Sequence, residues 1–430
     1  MGIFANPLTD LLEYEDFSRD FLKGTDPVGM TGCIDSEKVH FMSTFLGEKK
    51  VQLVVTYNEQ RAREIEEDYK LFCSQVYVIP PRDLIFFSAD LQGNAIIAER
   101  MKAFAALYQN EAKVIITTMD ALMSAAVPFE QLMSHVIKLK EGDELDLEKL
   151  KHDLTVMGYE RVGRVEEPGQ FIVHGGIADV YPLTMEVPVR IELWGDEIDT
   201  IRCFEPQSQR SMDQIECVSV FPAAEVIADD TARRRAVGMI QNELESQLAV
   251  FKKAKEPDKA KRLREETNRI LEALGEDVVL EAPDSYISYF YPRTVQLSEY
   301  FDEKNTLVFL DEPMRLKERG DGVQAEFEES MKNRLEQGFL LPGQTALLTP
   351  AKHVLAAFER GQVAALSSLD SRLADFTVVN SYAVNVQNMN TYREGFELLI
   401  KDLTHWKKEK YRIVLLCPSR TRANRIVNQL

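Results

Sequence analysis

The sequence predicts an α/β protein whose parallel, doubly wound sheet is interrupted by an inserted antiparallel α+β module and a helical subdomain. Short apolar strands first alternate with helices, as at residues 52–56 (QLVVT) and 114–118 (VIITT). A block of short strands and polar turns follows from residue 158 to about 221. A long stretch with apolar residues at helical spacing comes next, and the apolar strands then return. We expect the first and last parts to form one sheet.

The parallel sheet is predicted from two groups of apolar strands. A parallel connection needs a long crossover, so strands that alternate with helices indicate parallel pairing. The first group consists of strands at residues 52–56, 75–79 and 114–118, with helices at 59–72 and 95–108. The second group consists of strands at residues 306–310, 345–348, 363–366 and 376–379.

The two insertions differ in pattern. Residues 144–157 indicate a helix that precedes the antiparallel strands, whereas residues 230–274 are helical almost throughout, with Met239, Leu244 and Phe251 at helical spacing. The helical stretch carries a basic cluster, made of Lys252, Lys253, Lys255, Lys259, Lys261, Arg262 and Arg264. Acidic residues are interleaved with it, which favours a solvated helix with local ion pairs over a DNA contact.

These patterns divide the chain into five predicted segments. The segments are residues 1–140 and 301–388 for the α/β lobe, 141–222 for the antiparallel module, 223–300 for the helical subdomain and 389–430 for a further small α/β unit. In the last segment we predict a helix at 392–408, a strand at 412–416 and a helix at 419–430. Because the chain stops inside that helix, we expect it to be a piece of a longer protein.

Composition limits the possible functions. The chain has 430 residues and a formal net charge of −19, which disfavours a dedicated nucleic-acid-binding protein. Its five cysteines lie far apart without a Cys-x-x-Cys pair, so we expect no disulfide framework or zinc site. No apolar run is long enough to suggest a membrane span, and we expect a cytoplasmic protein without membrane contact. The six histidines are scattered, so neither a metal site nor a catalytic constellation is predicted.

A degenerate nucleotide site is predicted near the start of the chain. Residues 29–36 (GMTGCIDS) keep Gly29 and Ser36 of a phosphate-loop pattern, with Gly32 between them, but Ile34 stands in place of the second glycine and Asp35 in place of the phosphate-binding lysine. An anionic side chain there repels phosphate. Lys38 lies three residues past that position, further along the predicted helix.

A second remnant of such a site follows the predicted strand at 306–310. Asp311 and Glu312 have the form of a magnesium-coordinating acidic pair of a helicase-like (RecA-like) lobe. An acidic pair in an ordinary turn is the alternative. Together the two segments indicate a lobe whose ATP chemistry has decayed.

One strand of the antiparallel module can be assigned face by face. Val189, Ile191 and Leu193 alternate with Arg190, Glu192 and Trp194, so the first three can be buried while the second three share the opposite face. Arginine and tryptophan often anchor protein interfaces. Arg190 and Trp194 would lie about 13 Å apart, which suits a flat interface better than a catalytic pocket. A core role for Trp194, and an ion pair of Arg190 with Glu192 or a cross-strand acid, are the structural alternatives.

The same block carries a family resemblance. The segments GYERV, EEPGQFIVHGG, IADVYP and VRIELWGDEIDTIRCF resemble the UvrB-homology module of the bacterial transcription-repair coupling factor family, a module that also occurs in UvrB. The resemblance implies an amino-terminal module without a working nucleotide site that binds UvrA through two arginines and an aromatic residue. These positions fall on Arg190, Trp194 and His174. At the last of them histidine replaces arginine and, lacking the bidentate fork, weakens an electrostatic contact.

The chain departs from UvrB itself in two features that the resemblance makes relevant. UvrB has an intact phosphate loop and a long aromatic hairpin that clamps DNA. Here the corresponding segment holds Phe86 and Phe87 without a tyrosine-rich run, and local packing is favoured over base stacking.

The sequence thus predicts a non-catalytic adaptor that recruits UvrA to stalled transcription complexes and needs no cofactor. The resemblance further implies masking of this surface by a carboxy-terminal domain of the same protein. It also implies RNA polymerase binding and ATP-dependent DNA translocation by regions beyond this chain. An active helicase-like ATPase lobe of a UvrB-type repair protein is the first alternative, and a DNA-binding scaffold is the second.

Overall fold

A computed structural model of the chain describes residues 8, 11, 13–48, 51–82, 92–275, 283–369, 376–386, 392, 396–415, 417 and 419–429. Phe86 and Phe87, for which local packing is predicted, lie outside these residues. Among the described helices, none is long and apolar enough to cross a membrane.

The helices are numbered in chain order. They are α1 (Tyr14–Lys23), α2 (Asp35–Ser43), α3 (Glu59–Tyr69), α4 (Gln92–Tyr108), α5 (Met119–Met123), α6 (Phe129–Met133), α7 (Leu147–Val156), α8 (Asp230–Ala254), α9 (Pro257–Gly275), α10 (Ile287–Phe290), α11 (Pro313–Gln337), α12 (Ala351–Ala356), α13 (Phe396–Lys408) and α14 (Arg420–Gln429). Short 3₁₀ turns span Pro283–Tyr286, Leu297–Tyr300, Glu303–Asn305 and Pro342–Thr345.

The strands are numbered in the same way. They are β1 (Val28–Thr31), β2 (Val51–Thr56), β3 (Val76–Ile79), β4 (Val114–Thr118), β5 (Ala125–Ala126), β6 (Ile137–Lys140), β7 (Glu160–Arg161), β8 (Gln170–His174), β9 (Ile177–Val180), β10 (Val189–Trp194), β11 (Glu197–Phe204), β12 (Ser211–Gln214), β13 (Cys217–Val220), β14 (Val295–Gln296), β15 (Thr306–Asp311), β16 (Val363–Ser367) and β17 (Asn380–Ala383).

A seven-stranded parallel sheet confirms the predicted α/β class. Its order is β17-β1-β16-β15-β2-β4-β3, and every neighbouring pair runs parallel. Strands on both sides of the insertions thus contribute to one sheet, as predicted. Both faces are covered: Leu53 and Leu310 enter one core, and Val54 and Phe309 enter the other. Burial on both faces explains why the centres of these strands are apolar.

Two strand predictions after the insertions need correction. Residues 345–348 form no strand, because Pro342–Thr345 is a 3₁₀ turn and Leu348 makes only an isolated bridge with Ser124. The Gln344 side chain accepts a hydrogen bond from the Leu341 amide and so stabilises the turn. The strand predicted at 376–379 lies at Asn380–Ala383. This edge strand is mostly exposed, so an apolar run does not mark it.

The strand predicted at 412–416 is wrong for its described residues. Residues 411–415 have no regular structure and are exposed. An apolar run becomes a strand only where a neighbouring ladder accepts its backbone hydrogen bonds. The described residues place no strand beside this segment.

The antiparallel module has its own sheet and core. Its sheet has the order β12-β11-β10-β9-β8-β7, antiparallel except for the β7–β8 pair. Helix α7 and the ribbon of β6 and β13 share one core with this sheet, which includes Leu139, Leu154, Phe171 and Ile191. Residues from Ile137 onward therefore pack with the module.

The helical subdomain packs onto the α/β lobe. Helices α8 and α9 bury Ile240, Phe251, Leu263 and Ile270 in the same core as Leu53 of the central sheet. In the basic cluster, Lys259 pairs with Glu256 at 2.8 Å and Lys261 with Glu265 at 3.8 Å. These are local ion pairs of the kind that the solvated-helix interpretation predicts.

Candidate partner-binding face and degenerate nucleotide site

Strand β10 shows the predicted alternation of faces. Val189 and Ile191 are buried in the module core, whereas Arg190 and Glu192 are half-buried on the opposite face. Leu193 is only half-buried. Trp194 is 84% exposed, more than any other large apolar side chain in the described part of the chain. The core role considered for Trp194 is therefore wrong.

Strand register places the other predicted residues on the same face of the sheet as Arg190. One row across the sheet joins Ile172, Asp179, Arg190, Arg202 and Gln214. The next row joins His174, Ile177, Glu192 and Thr200. We call the surface formed by these two rows and Trp194 the outer face. His174 lies two strands from Glu192, or about 10 Å.

Arg190 is held in place by its neighbours on the outer face. Its Nε and Nη2 donate to Oδ1 and Oδ2 of Asp179, both at 2.8 Å, and its guanidinium lies 4.8 Å from the centre of the Phe204 ring. The hydrogen bonds to Asp179 raise the pKa of Arg190. Glu192 accepts instead from Thr200 Oγ1 at 3.1 Å and makes only a smaller electrostatic contribution to Arg190. The cross-strand acid was thus the correct alternative.

Sequence reasoning missed the two residues that position Arg190. Asp179 is 3% exposed and Phe204 is fully buried. A buried acid in the apolar segment IADVYP was the available signal, because a buried carboxylate requires a cationic or hydrogen-bonding partner. Phe204 offered no such signal, since an aromatic residue at a strand end is ordinary core composition.

The tight turn after β10 supports the exposure of Trp194. Gly195 has a φ of +66°, a left-handed conformation that glycine adopts without strain. Strand β11 starts two residues later at Glu197, the register partner of Trp194. The indole therefore lies at the end of a hairpin.

The predicted phosphate-loop residues occupy a strand, a short connection and a helix. Gly29 lies within β1 and is buried, so the segment is not a loop from its first glycine. Gly32 has a φ of +83°, and a Cβ there would lie 1.9 Å from the Val384 carbonyl oxygen. Asp35 and Ser36 begin α2. The residues after β17 thus approach this connection closely.

The acidic pair Asp311 and Glu312 has an internal cationic partner. Lys38 Nζ donates to Asp311 Oδ1 at 2.7 Å and to Glu312 Oε1 at 2.6 Å. Lys38 is 2% and Asp311 1% exposed. Lys38 points from α2 to the end of β15, although it is three residues past the motif position. Its role was missed because only the fold brings α2 to that strand end.

Further donors complete this cluster. Asp311 Oδ2 accepts from Thr56 Oγ1 at 2.9 Å and from Arg61 Nε at 3.3 Å, and Glu312 accepts from the amide and hydroxyl of Ser368. Burial alone would raise the pKa of Glu312, but the bonds from Lys38 and Ser368 outweigh it and lower that pKa. Lys38 and Arg61 thus offset the charges of Asp311 and Glu312, and Arg61 also pairs with the more exposed Glu64 at 3.1 Å.

The described residues offer no metal site elsewhere. Among them, no three His, Cys, Asp or Glu side chains are grouped so that they could hold a metal ion. In the acidic pair, oxygens that could bind a divalent cation already accept hydrogen bonds from Lys38, Thr56 and Arg61.

Comparisons with known proteins bear on both regions. The family model described as the UvrB interaction domain matches residues 137–225, which contain the outer face. The transcription-repair-coupling factor of Bacillus subtilis (strain 168) is 27% identical over 431 residues, covering 99% of this chain and 36% of that protein. The factor of Staphylococcus haemolyticus (strain JCSC1435) is 30% identical over 334 residues, covering 76% of this chain and 28% of that protein.

The chain therefore spans about a third of the length of these curated relatives, 36% in the first case. The match to the UvrB interaction domain lies on the segment whose motifs indicated the family. The similarity to the coupling factor of Bacillus subtilis covers 99% of the chain, so it includes the α/β lobe and the helical subdomain as well. The predicted resemblance is confirmed: the chain is similar to the amino-terminal part of the bacterial transcription-repair-coupling factors.

Proposed function

We propose that this chain is a non-catalytic adaptor of transcription-coupled DNA repair that binds UvrA through the outer face. The observation that carries the proposal is Trp194, 84% exposed on the face that also holds Arg190 and His174, within the match to the UvrB interaction domain. An indole removed from water by a partner contributes more buried apolar area than most other side chains can.

Arg190 supports the same proposal through its rigidity. The Asp179 pair uses Nε and Nη2, so Nη1 lies outside that pair, and the side chain remains 21% exposed. A donor that is already oriented loses little conformational entropy on binding. Arg190 and Trp194 would therefore act as a fixed polar contact and an apolar anchor.

His174 would contribute less than these two residues. It is exposed and shares the outer face, but an imidazole cannot make the bidentate contact of arginine. We propose that it contributes a single hydrogen bond.

The non-catalytic part of the proposal is supported by the cluster around Lys38. Asp35 occupies the position of the phosphate-binding lysine, and the acidic pair is neutralised by Lys38 and Arg61. A magnesium–triphosphate would have to displace these ion pairs from a buried site. We infer that the lobe has kept its fold but no longer binds a nucleotide.

The wider role follows from the relatives. We propose that the outer face recruits UvrA to stalled transcription complexes and that a carboxy-terminal domain of the whole protein masks it. RNA polymerase binding and ATP-driven movement on DNA would belong to other parts of such a protein.

A binding measurement with purified UvrA tests the proposal. The double variant Arg190→Ala, Trp194→Ala should weaken binding by about 100-fold or more, because central Trp and Arg anchors carry most of an interface's binding energy. Leu71→Ala is the matched control, since Leu71 is a 71%-exposed apolar side chain on the α/β lobe. Undiminished binding by a folded double variant would remove the site assignment.

A second measurement separates the adaptor from an active ATPase lobe. Titration of the chain with ATP and magnesium should show no binding in the micromolar range. Micromolar affinity would contradict the decayed site and restore the ATPase alternative. Steeply salt-dependent binding of duplex DNA by the isolated chain would instead favour a DNA-binding scaffold.

A further inference from the structure

We propose that Arg202 is an additional partner-binding residue of the outer face and that it takes a carboxylate of UvrA. The inference rests on the proposed function and deepens it by naming the chemistry that the partner must supply. Arg202 lies on β11 directly opposite Arg190, in the same row of the outer face.

Arg202 has no acceptor within the chain as described. Its Nε is buried and makes no hydrogen bond to any described residue. Like charges directly opposite each other on a sheet are destabilising, and Arg190 is the cross-strand neighbour. The guanidinium of Arg202 therefore makes no hydrogen bond or ion pair that would stabilise the free chain as described.

The acids beside Arg202 are engaged elsewhere. Asp179 binds Arg190 through both oxygens, and Glu192 accepts from Thr200. Glu141 accepts from Gln214, the register partner of Arg202 on its other side. None of these acids accepts from Arg202 Nε, and we infer that a carboxylate for this side chain comes from the partner.

A protein carboxylate fits this vacancy best. A guanidinium presents parallel N–H groups that match the two oxygens of an Asp or Glu side chain. Arg202 lies one strand from Arg190 on the same face, so a partner seated on Trp194 and Arg190 would bring its own groups within reach. An acidic side chain of UvrA would accept from the terminal nitrogens of the half-buried Arg202, whose Nε is buried, and offset the like-charge contact with Arg190.

The test compares Arg202→Gln and Arg202→Lys with the wild type. Arg202→Gln should weaken UvrA binding by about tenfold or more, the effect expected when a charged hydrogen-bonding group is lost. Arg202→Lys keeps the charge but loses the paired N–H groups of the guanidinium, so its affinity for UvrA should lie between those of the wild type and Arg202→Gln. The unfolding midpoint of Arg202→Gln should not fall, because the side chain has no partner in the free chain. Arg161→Gln, an exposed arginine on the edge strand β7 of the same sheet, is the matched control.

Three other results for UvrA binding and the unfolding midpoint would each contradict the proposed role of Arg202. If Arg202→Gln binds UvrA like the wild type while Arg190→Ala, Trp194→Ala does not, the role of Arg202 is wrong and the proposed function stands. If Arg202→Gln lowers the unfolding midpoint together with binding, its role is structural. If none of the variants changes binding, the outer face is not the UvrA site and both proposals fail.

Discussion

In the α/β lobe, Asp311 and Glu312 are paired inside the protein with Lys38 and Arg61, whereas on the outer face Trp194 is exposed and Arg202 Nε has no acceptor among the described residues. Both regions were singled out by sequence patterns of known chemistry. The lobe cluster satisfies its charges internally. The outer face does not satisfy all of its groups.

A structural cluster and a binding surface differ in whether their polar groups already have partners in the free chain. Buried charges with complete partners stabilise a fold once they are in it, since removing one leaves the others uncompensated. Exposed aromatic and unpaired cationic groups do little for the free chain and become useful only when a partner covers them. The following predictions test this distinction in order of expected effect.

The largest effect is expected from Lys38→Met. The substitution keeps the side-chain volume but leaves Asp311 and Glu312 without their shared cation, so the free energy of unfolding should fall by about 3–5 kcal/mol. Denaturant unfolding measures this change. Lys352→Met is the control, because Lys352 is exposed on α12. An unchanged free energy of unfolding would show that the cluster does not stabilise the fold. The affinity of the folded variant for UvrA should equal that of the wild type.

A smaller effect on both stability and binding is expected from Asp179→Asn. Asp179 is almost fully buried, and its loss of charge weakens two hydrogen bonds to Arg190, so we expect a loss of about 1.5–3 kcal/mol of unfolding free energy. UvrA binding should weaken as well, because Arg190 loses its fixed orientation. Denaturant unfolding and the UvrA binding assay, run on the same preparations, measure the two effects. Wild-type binding by this variant would mean that the orientation of Arg190 is unimportant to the partner.

The smallest effect concerns pH. The pKa of Glu312 is lowered in the folded chain, so its contribution to stability is complete well above the unfolded value of 4.5 and is lost as pH falls through the folded value. The difference in unfolding free energy between wild type and Lys38→Met should therefore shrink when the pH is lowered from 7 toward 4. A difference that grows on acidification would contradict the assignment of Lys38 as the partner of Glu312.

Much of the fold was predictable because strands that are buried on both faces consist mainly of apolar residues. Strands β2, β4 and β15 are covered on both faces, and each contains a short apolar run. The wrong predictions occur where burial does not produce such a pattern. Residues 380–383 form an exposed edge strand, and residues 345–348 begin in a 3₁₀ turn although Leu347 is buried.

The candidate site was predictable in part for a similar reason. The alternation in β10 assigns Arg190 and Trp194 to one face without any structure. Asp179, Phe204 and Arg202 escaped prediction because they reach this face from neighbouring strands, and strand register depends on turns and bulges along the whole module.

The parallel sheet, the two insertions, the missing phosphate-loop lysine and the family resemblance are readable from the sequence, since they depend on local pattern and residue identity. The partners of the charged side chains depend on the fold. It brings Lys38 to Asp311 across 273 residues and Asp179 to Arg190 across 11, and it leaves Trp194 exposed and Arg202 Nε without an acceptor among the described residues. Pairing of charges is set by distance in space, which a linear pattern does not encode.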